Sequence, residues 1–131
     1  MTDLVSNTRR PDVSFFQNGR IDITARVAKM LELQAGDVVN VSTDGYEYLL
    51  YIKHRASNTR GGSYEGTCYP TSRRNTRNFR AHSVNLCRAV IKAVCPSYKE
   101  VRLPVGNAYH SKLLGCTVVP IITRNPLNLP T

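Results

Sequence analysis

The sequence predicts a mainly β fold with two short helices, assembled from two units that share the order strand, helix, strand, strand. Three observations lead there. Residues 20–41 hold a polar–apolar alternation, then a helical spacing of apolar residues, then a Gly-Asp turn into β-branched residues. A comparable order returns over residues 79–123. Asn18-Gly19 just before the first run and Asp44-Gly45 just after it are hairpin signals, because Asn, Asp and Gly tolerate positive φ.

Residues 1–11 are polar and end in Arg9-Arg10-Pro11, which reads as a loose arm. Val13 to Gln17 reads as a strand, and Asn18-Gly19 turns it back into Arg20 to Thr24, where Ile21 and Ile23 alternate with Arg20 and Asp22. Thr24 offers an N-cap hydroxyl to a short helix carrying Val27, Met30 and Leu31 on one side. Gly36-Asp37 turns the chain into a strand from Val38 to Val41, and after Asp44-Gly45 it returns from Tyr46 to His54.

Residues 55–77 form a basic loop region, in which Tyr64 to Tyr69 suits a short strand. Phe79 to Val84 then reads as a strand. Leu86, Cys87, Val90, Ile91 and Val94 give the apolar face of a helix that stops before Pro96. Val101, Leu103 and Val105 alternate with Arg102 and Pro104. A turn at Gly106-Asn107 and a loop over Ala108–Lys112 lead to a last strand from Leu113 to Thr123, with Pro120 suited to an edge or bulge. Residues 125–131 read as an extended tail carrying Leu127 and Leu129.

Residues 12–54 resemble the AbrB/SpoVT-type swapped-hairpin DNA-binding domain. That family follows Gly-Arg and a strand with Pro and a short helix ending in Leu, then Leu or Ile, then Gly-Asp and a second strand. Gly19, Arg20, Ile21, Ile23, Leu31, Leu33, Gly36 and Asp37 stand in register with it. The chain departs from the pattern at Thr24, where the family carries Pro, and at Ala28, where many members carry a basic residue. The resemblance implies a half-barrel completed by a second identical chain. With two units in tandem, over about 12–54 and 78–124, one chain could supply both halves. The expected fold is therefore a single AbrB-like swapped-hairpin or double-psi-like β-barrel over residues 12–124; a plain homodimer with a separate second module is the alternative. The resemblance also implies basic residues after the hairpin glycine and on the short helix as DNA contacts. Carried over by position, these are Arg20 and Lys29, with Arg26 standing near the place of the missing basic residue at 28. A competing reading of Arg20 is a surface charge paired with Asp22 or Glu47.

The chain of 131 residues carries a net charge of +9. Residues 1–66 hold eight basic and eight acidic side chains, whereas residues 67–131 hold ten basic ones against Glu100 alone. Arginine outnumbers lysine, and its planar fork suits bidentate phosphate contacts. The partner favoured is a polyanion, and the loop Arg73-Arg74-Asn75-Thr76-Arg77-Asn78-Phe79-Arg80 is the second candidate surface. Arg73, Arg74, Arg77 and Arg80 there have no acidic competitor close in sequence. Tyr46, Tyr48 and Tyr51 read as cross-strand packing before they read as a stacking platform.

No apolar run is long enough to span a membrane, and the N-terminus has no signal-peptide pattern, so the expected compartment is the cytoplasm. Cys68, Cys87, Cys95 and Cys116 form no CxxC pair and read as reduced structural thiols. His54, His82 and His110 fall in no metal-ligand pattern, and no cofactor, metal or small-molecule substrate is expected. Two functions follow as expectations. The first is a non-enzymatic, AbrB-like transcriptional regulator or DNA-organising factor that binds double-stranded DNA. The second is a structural or assembly protein, for instance a phage virion component, whose arm and tail strap onto other subunits.

Overall fold

In a computed structural model the described residues are 11–54, 64–71 and 78–123. Among them are ten strands and two helices: β1 (Val13–Phe16), β2 (Arg20–Ile23), α1 (Ala25–Leu31), β3 (Val38–Thr43), β4 (Tyr48–Lys53), β5 (Gly66–Thr67), β6 (Tyr69–Pro70), β7 (Phe79–His82), α2 (Val84–Val94), β8 (Glu100–Leu103), β9 (Tyr109–Ser111) and β10 (Cys116–Ile121). The mainly β composition with two helices agrees with the sequence reading. Of the expected arm (1–11) residues 1–10, and all of the tail (125–131), lie outside the described residues.

Both expected hairpins form, with longer connections than two residues. Phe15 pairs with Ile21, and Gly19, at φ +103°, donates its N–H to Phe16 O at 2.8 Å. At the second, Thr43 pairs with Tyr48, and the Asp44 carboxylate accepts the N–H groups of Tyr46 and Glu47 at 2.9 and 2.8 Å. Those two residues are thereby kept out of the ladder, so β4 starts at Tyr48 rather than Tyr46. The same two bonds hold the Asp44 carboxyl below its ordinary range.

The strands form two five-stranded antiparallel sheets, in the orders β6-β7-β2-β1-β8 and β5-β3-β4-β10-β9. The expected single closed barrel is not what the ladders make. At one corner the chain leaves one sheet and enters the other at Cys68, between β5 and β6. At the other corner only the bridge Val105–Ile121 joins the sheets, with Gly106 N–H donating to Pro120 O and Ile122 N–H donating to Pro104 O, each at 2.9 Å. The return bonds of these two pairs would need N–H groups at Pro104 and Pro120, which proline lacks. Pro120 thus stands inside β10, beyond the residues paired with β9, while the ladder with β4 runs on through it to Ile121.

Three of the four strands of the first unit pair with strands of the second, β1 with β8, β2 with β7 and β4 with β10, while β3 pairs with β5 of the intervening segment. Inward residues at strand period, among them Phe15, Ile21, Ile23, Leu50, Leu103 and Val119, form one buried core. α1 buries Val27, Ala28 and Leu31, and α2 buries Leu86, Cys87, Val90 and Ile91. Burial of Ala28 explains why that position carries no basic side chain. Ser83 caps α2 by accepting the Leu86 N–H at 3.2 Å. Thr24 occupies the N-cap of α1, but its hydroxyl accepts no helix N–H; the first turn is instead met by Asn78 Oδ1, 2.8 Å from Ala25 N.

Candidate functional site

Since the inward residues of β1, β2, β7 and β8 are core, their alternate residues share the outer face of the first sheet. The pairings set them in two rows. One runs Tyr69, Arg80, Asp22, Ser14, Arg102 across five strands, and the other places His82 beside Arg20 and Phe16 beside Glu100. Arginines and aromatic rings are thus interleaved on a half-exposed sheet surface.

Two of the expected contact residues meet here. Arg80 Nε donates to Asp22 Oδ1 at 2.8 Å, and Arg20 Nε lies 3.4 Å from Asp22 Oδ2. The Arg20 guanidinium also sits 4.0 Å from the centre of the Phe16 ring, a cation–π contact that holds it flat against the sheet. The pairing of Arg20 with Asp22 is the one foreseen in the sequence; Glu47 is elsewhere, at the β3–β4 connection. Arg102 Nε is held by Glu100 at 2.9 Å. Exposed pairs of this kind contribute about 0–1 kcal/mol each, so they orient the guanidinium groups at small cost to a competing anion.

A cleft of about 880 Å³ opens beside these rows, walled by Asn18, Arg20, Thr67, Tyr69, Arg80 and His82 among others. His82 Nε2 donates to the Asn18 carbonyl oxygen at 3.1 Å, and Asn18 Oδ1 accepts the Arg20 N–H at 3.0 Å, so this wall is internally braced. A smaller depression, about 220 Å³, shares Arg80 and Thr71 with the cleft and reaches Asp12, Thr24 and Asn78. At its far side Arg26 Nη1 lies 3.0 Å from Asp12 Oδ2, an oxygen that also accepts the Val105 N–H at 3.2 Å. Arg26 therefore has a structural task near the Val105 corner. Lys29 is exposed one turn further along α1 and makes no ion pair among the described residues. Arg73, Arg74 and Arg77 lie outside the described residues.

The tyrosine cluster does not act as one surface. Tyr46 is exposed in the turn, while Tyr48 and Tyr51 stand three apart in β4 and so face opposite ways. Tyr69, His82 and Asn18 were not singled out as site residues from the sequence. The alternation Phe79, Arg80, Ala81, His82 was a usable signal for His82; Tyr69 sits in a two-residue strand with no periodicity to read.

A separate polar cluster lies at the Gly36-Asp37 turn. The buried Asp37 carboxylate accepts the Gln34 N–H at 2.8 Å and stands 3.0 Å from His54 Nδ1. Nearby, burial and then the Asp37 charge push the Cys68 thiol up to about 12, and burial pushes Cys87 to about 11. Both therefore stay protonated near neutral pH and are inert as nucleophiles. All four cysteines are free. Among the described residues, no three His, Cys, Asp or Glu side chains gather as a metal site, and no helix is long and apolar enough to cross a membrane. Compared with known protein families, curated proteins and solved structures, the chain matches none.

Proposed function

We propose that this chain is a non-enzymatic nucleic-acid-binding protein of AbrB-like build, with double-stranded DNA as its partner and a regulatory or DNA-organising role. One observation carries the reading: the two strands that lead into the helices, β2 and β7, pair directly, and Arg20 and Arg80 converge on Asp22 at that junction. In the family that residues 12–54 resemble, the arginine after the hairpin glycine belongs to the DNA contacts, and two half-units lie together. The pairing of β1, β2 and β4 with second-unit strands supports the same build from one chain. The charge excess of residues 67–131 adds the long-range attraction.

A salt series of binding to duplex DNA tests this. Replacing Arg73, Arg74, Arg77 and Arg80 with Ala should flatten log K against log salt by roughly 1.8 if two phosphate contacts are lost. Arg20→Ala should cost about 1–3 kcal/mol on a preferred sequence and little elsewhere if it reads a base edge. Absence of salt-dependent binding to any nucleic acid would remove the reading and leave the assembly-protein role in its place.

A further inference from the structure

We propose that the cleft beside β7 binds a nucleoside phosphate unit, with the phosphate on the Nη groups of Arg20 and Arg80 and the ring laid on Tyr69; this rests on the nucleic-acid reading and adds to the duplex a second, unpaired form of the ligand. The volume, about 880 Å³, falls within the roughly 300–1,000 Å³ of small-ligand sites and far exceeds what a bare phosphate fills. Arg20 and Arg80 both meet Asp22 through Nε. Their Nη donors are uncommitted among the described residues, and an arginine fork matches two phosphate oxygens. The cross-strand partner of Arg80 is Tyr69, whose ring is on the same face and whose residue is 53% exposed. A phosphate at Arg80 therefore sets its attached ring within reach of an aromatic surface.

Two further features fit a nucleotide better than a simple anion. Asn18 uses Oδ1 on the Arg20 N–H, which leaves its amide hydrogens for acceptors on a ring edge, and Thr67 adds a hydroxyl-bearing residue to the lining. Glu65, an acidic residue of the lining, is held by Lys53 at 3.2 Å, so its charge is offset. Stacking on Tyr69 requires an unpaired base. The unit comes either from a free nucleotide or from a single strand; a base inside a duplex cannot supply it.

The test is titration calorimetry of the full chain with adenosine monophosphate, adenosine, a single-stranded oligonucleotide and its duplex. Adenosine monophosphate or the single strand should bind saturably, and whichever binds is the source. Adenosine should bind more weakly than its monophosphate. Tyr69→Ala should weaken the bound ligand by about 5- to 150-fold, Tyr69→Phe should retain it, and duplex binding should be unchanged in both variants. Equal affinity for adenosine and its monophosphate, an unaltered affinity in Tyr69→Ala, or no saturable binding of monophosphate and single strand would overturn the proposal. If salt-dependent duplex binding persists in those cases, the nucleic-acid reading survives without the cleft; if nothing binds, both fall.

Discussion

Arg80 donates its Nε–H to Asp22 at 2.8 Å from a position 58 residues away in the chain, and Arg20 reaches the other oxygen of the same carboxylate. One acid thus sits between the two arginines expected to meet phosphate.

Asp22→Asn should therefore strengthen binding to polyanions and steepen its salt dependence, by up to about 0.9 in slope for each guanidinium that gains a phosphate. Stability should change by about 1 kcal/mol, because both pairs are half-exposed. Parallel salt titrations and urea melts of the variant and wild type check the two halves of this expectation.

The glycines at the two hairpins separate conformational strain from steric clash. Gly19 and Gly45 both have positive φ, at +103° and +93°. A Cβ on Gly45 would meet open space, whereas one on Gly19 would fall 2.7 Å from His82 Nε2 and 2.8 Å from Val84 Cγ2. Gly45→Ala should cost about 1–2 kcal/mol, and Gly19→Ala about 1–3 kcal/mol more. Denaturant midpoints measured side by side would show the difference.

Capping of α1 by a distant residue inverts the expectation read from Thr24. Asn78→Ala should destabilise by about 0.5–2 kcal/mol, since it removes the acceptor for the Ala25 N–H. Thr24→Val should be neutral or mildly stabilising, because the buried Thr24 hydroxyl has no partner to lose. Thermal melts of both variants test this; a large loss in Thr24→Val would restore the local cap.

The buried thiols set an alkaline limit. Cys68 and Cys87 are raised from the ordinary value of 9.0 to about 12 and about 11. A raised acid keeps its proton longer folded than unfolded, so its contribution is complete below pH 9 and is lost as pH rises toward 11 and 12. The melting temperature should fall over that window, and the fall should be shallower in Cys68→Ala, Cys87→Ala. At pH 8 alkylation should reach Cys95 and Cys116 first.

Much of this fold was legible because period-2 and period-3.6 burial are local patterns. The Ile21/Ile23 alternation and the Leu86, Cys87, Val90, Ile91 face located β2 and α2 directly. What was not legible depends on long-range partners. In sequence the β9 segment reads as a loop: Tyr109 and His110 are both exposed, and only pairing with Cys116–Val118 makes it a strand. The two-residue strands around Cys68 are likewise defined by β3 and β7. The same limit holds at the site. Arg20 and Asp22 were visible together in one strand, whereas the meeting of Arg80, Tyr69 and His82 with them comes from the β6-β7-β2 order.

The pairing of β2 with β7 also bears on how freely this surface can change. Between two identical subunits, an acid placed on one central strand appears on the other as well, and both copies of every alteration must be tolerated at once. Here the matching steps of the two strands hold Asn18 and Asn78, then Arg20 and Arg80, but Asp22 opposite number is His82. The carboxylate occurs once, so a single mutation adjusts one side of the junction and leaves its counterpart untouched. Covalent continuity releases the two halves from mirror-like bookkeeping, and lopsided recognition becomes accessible in single steps.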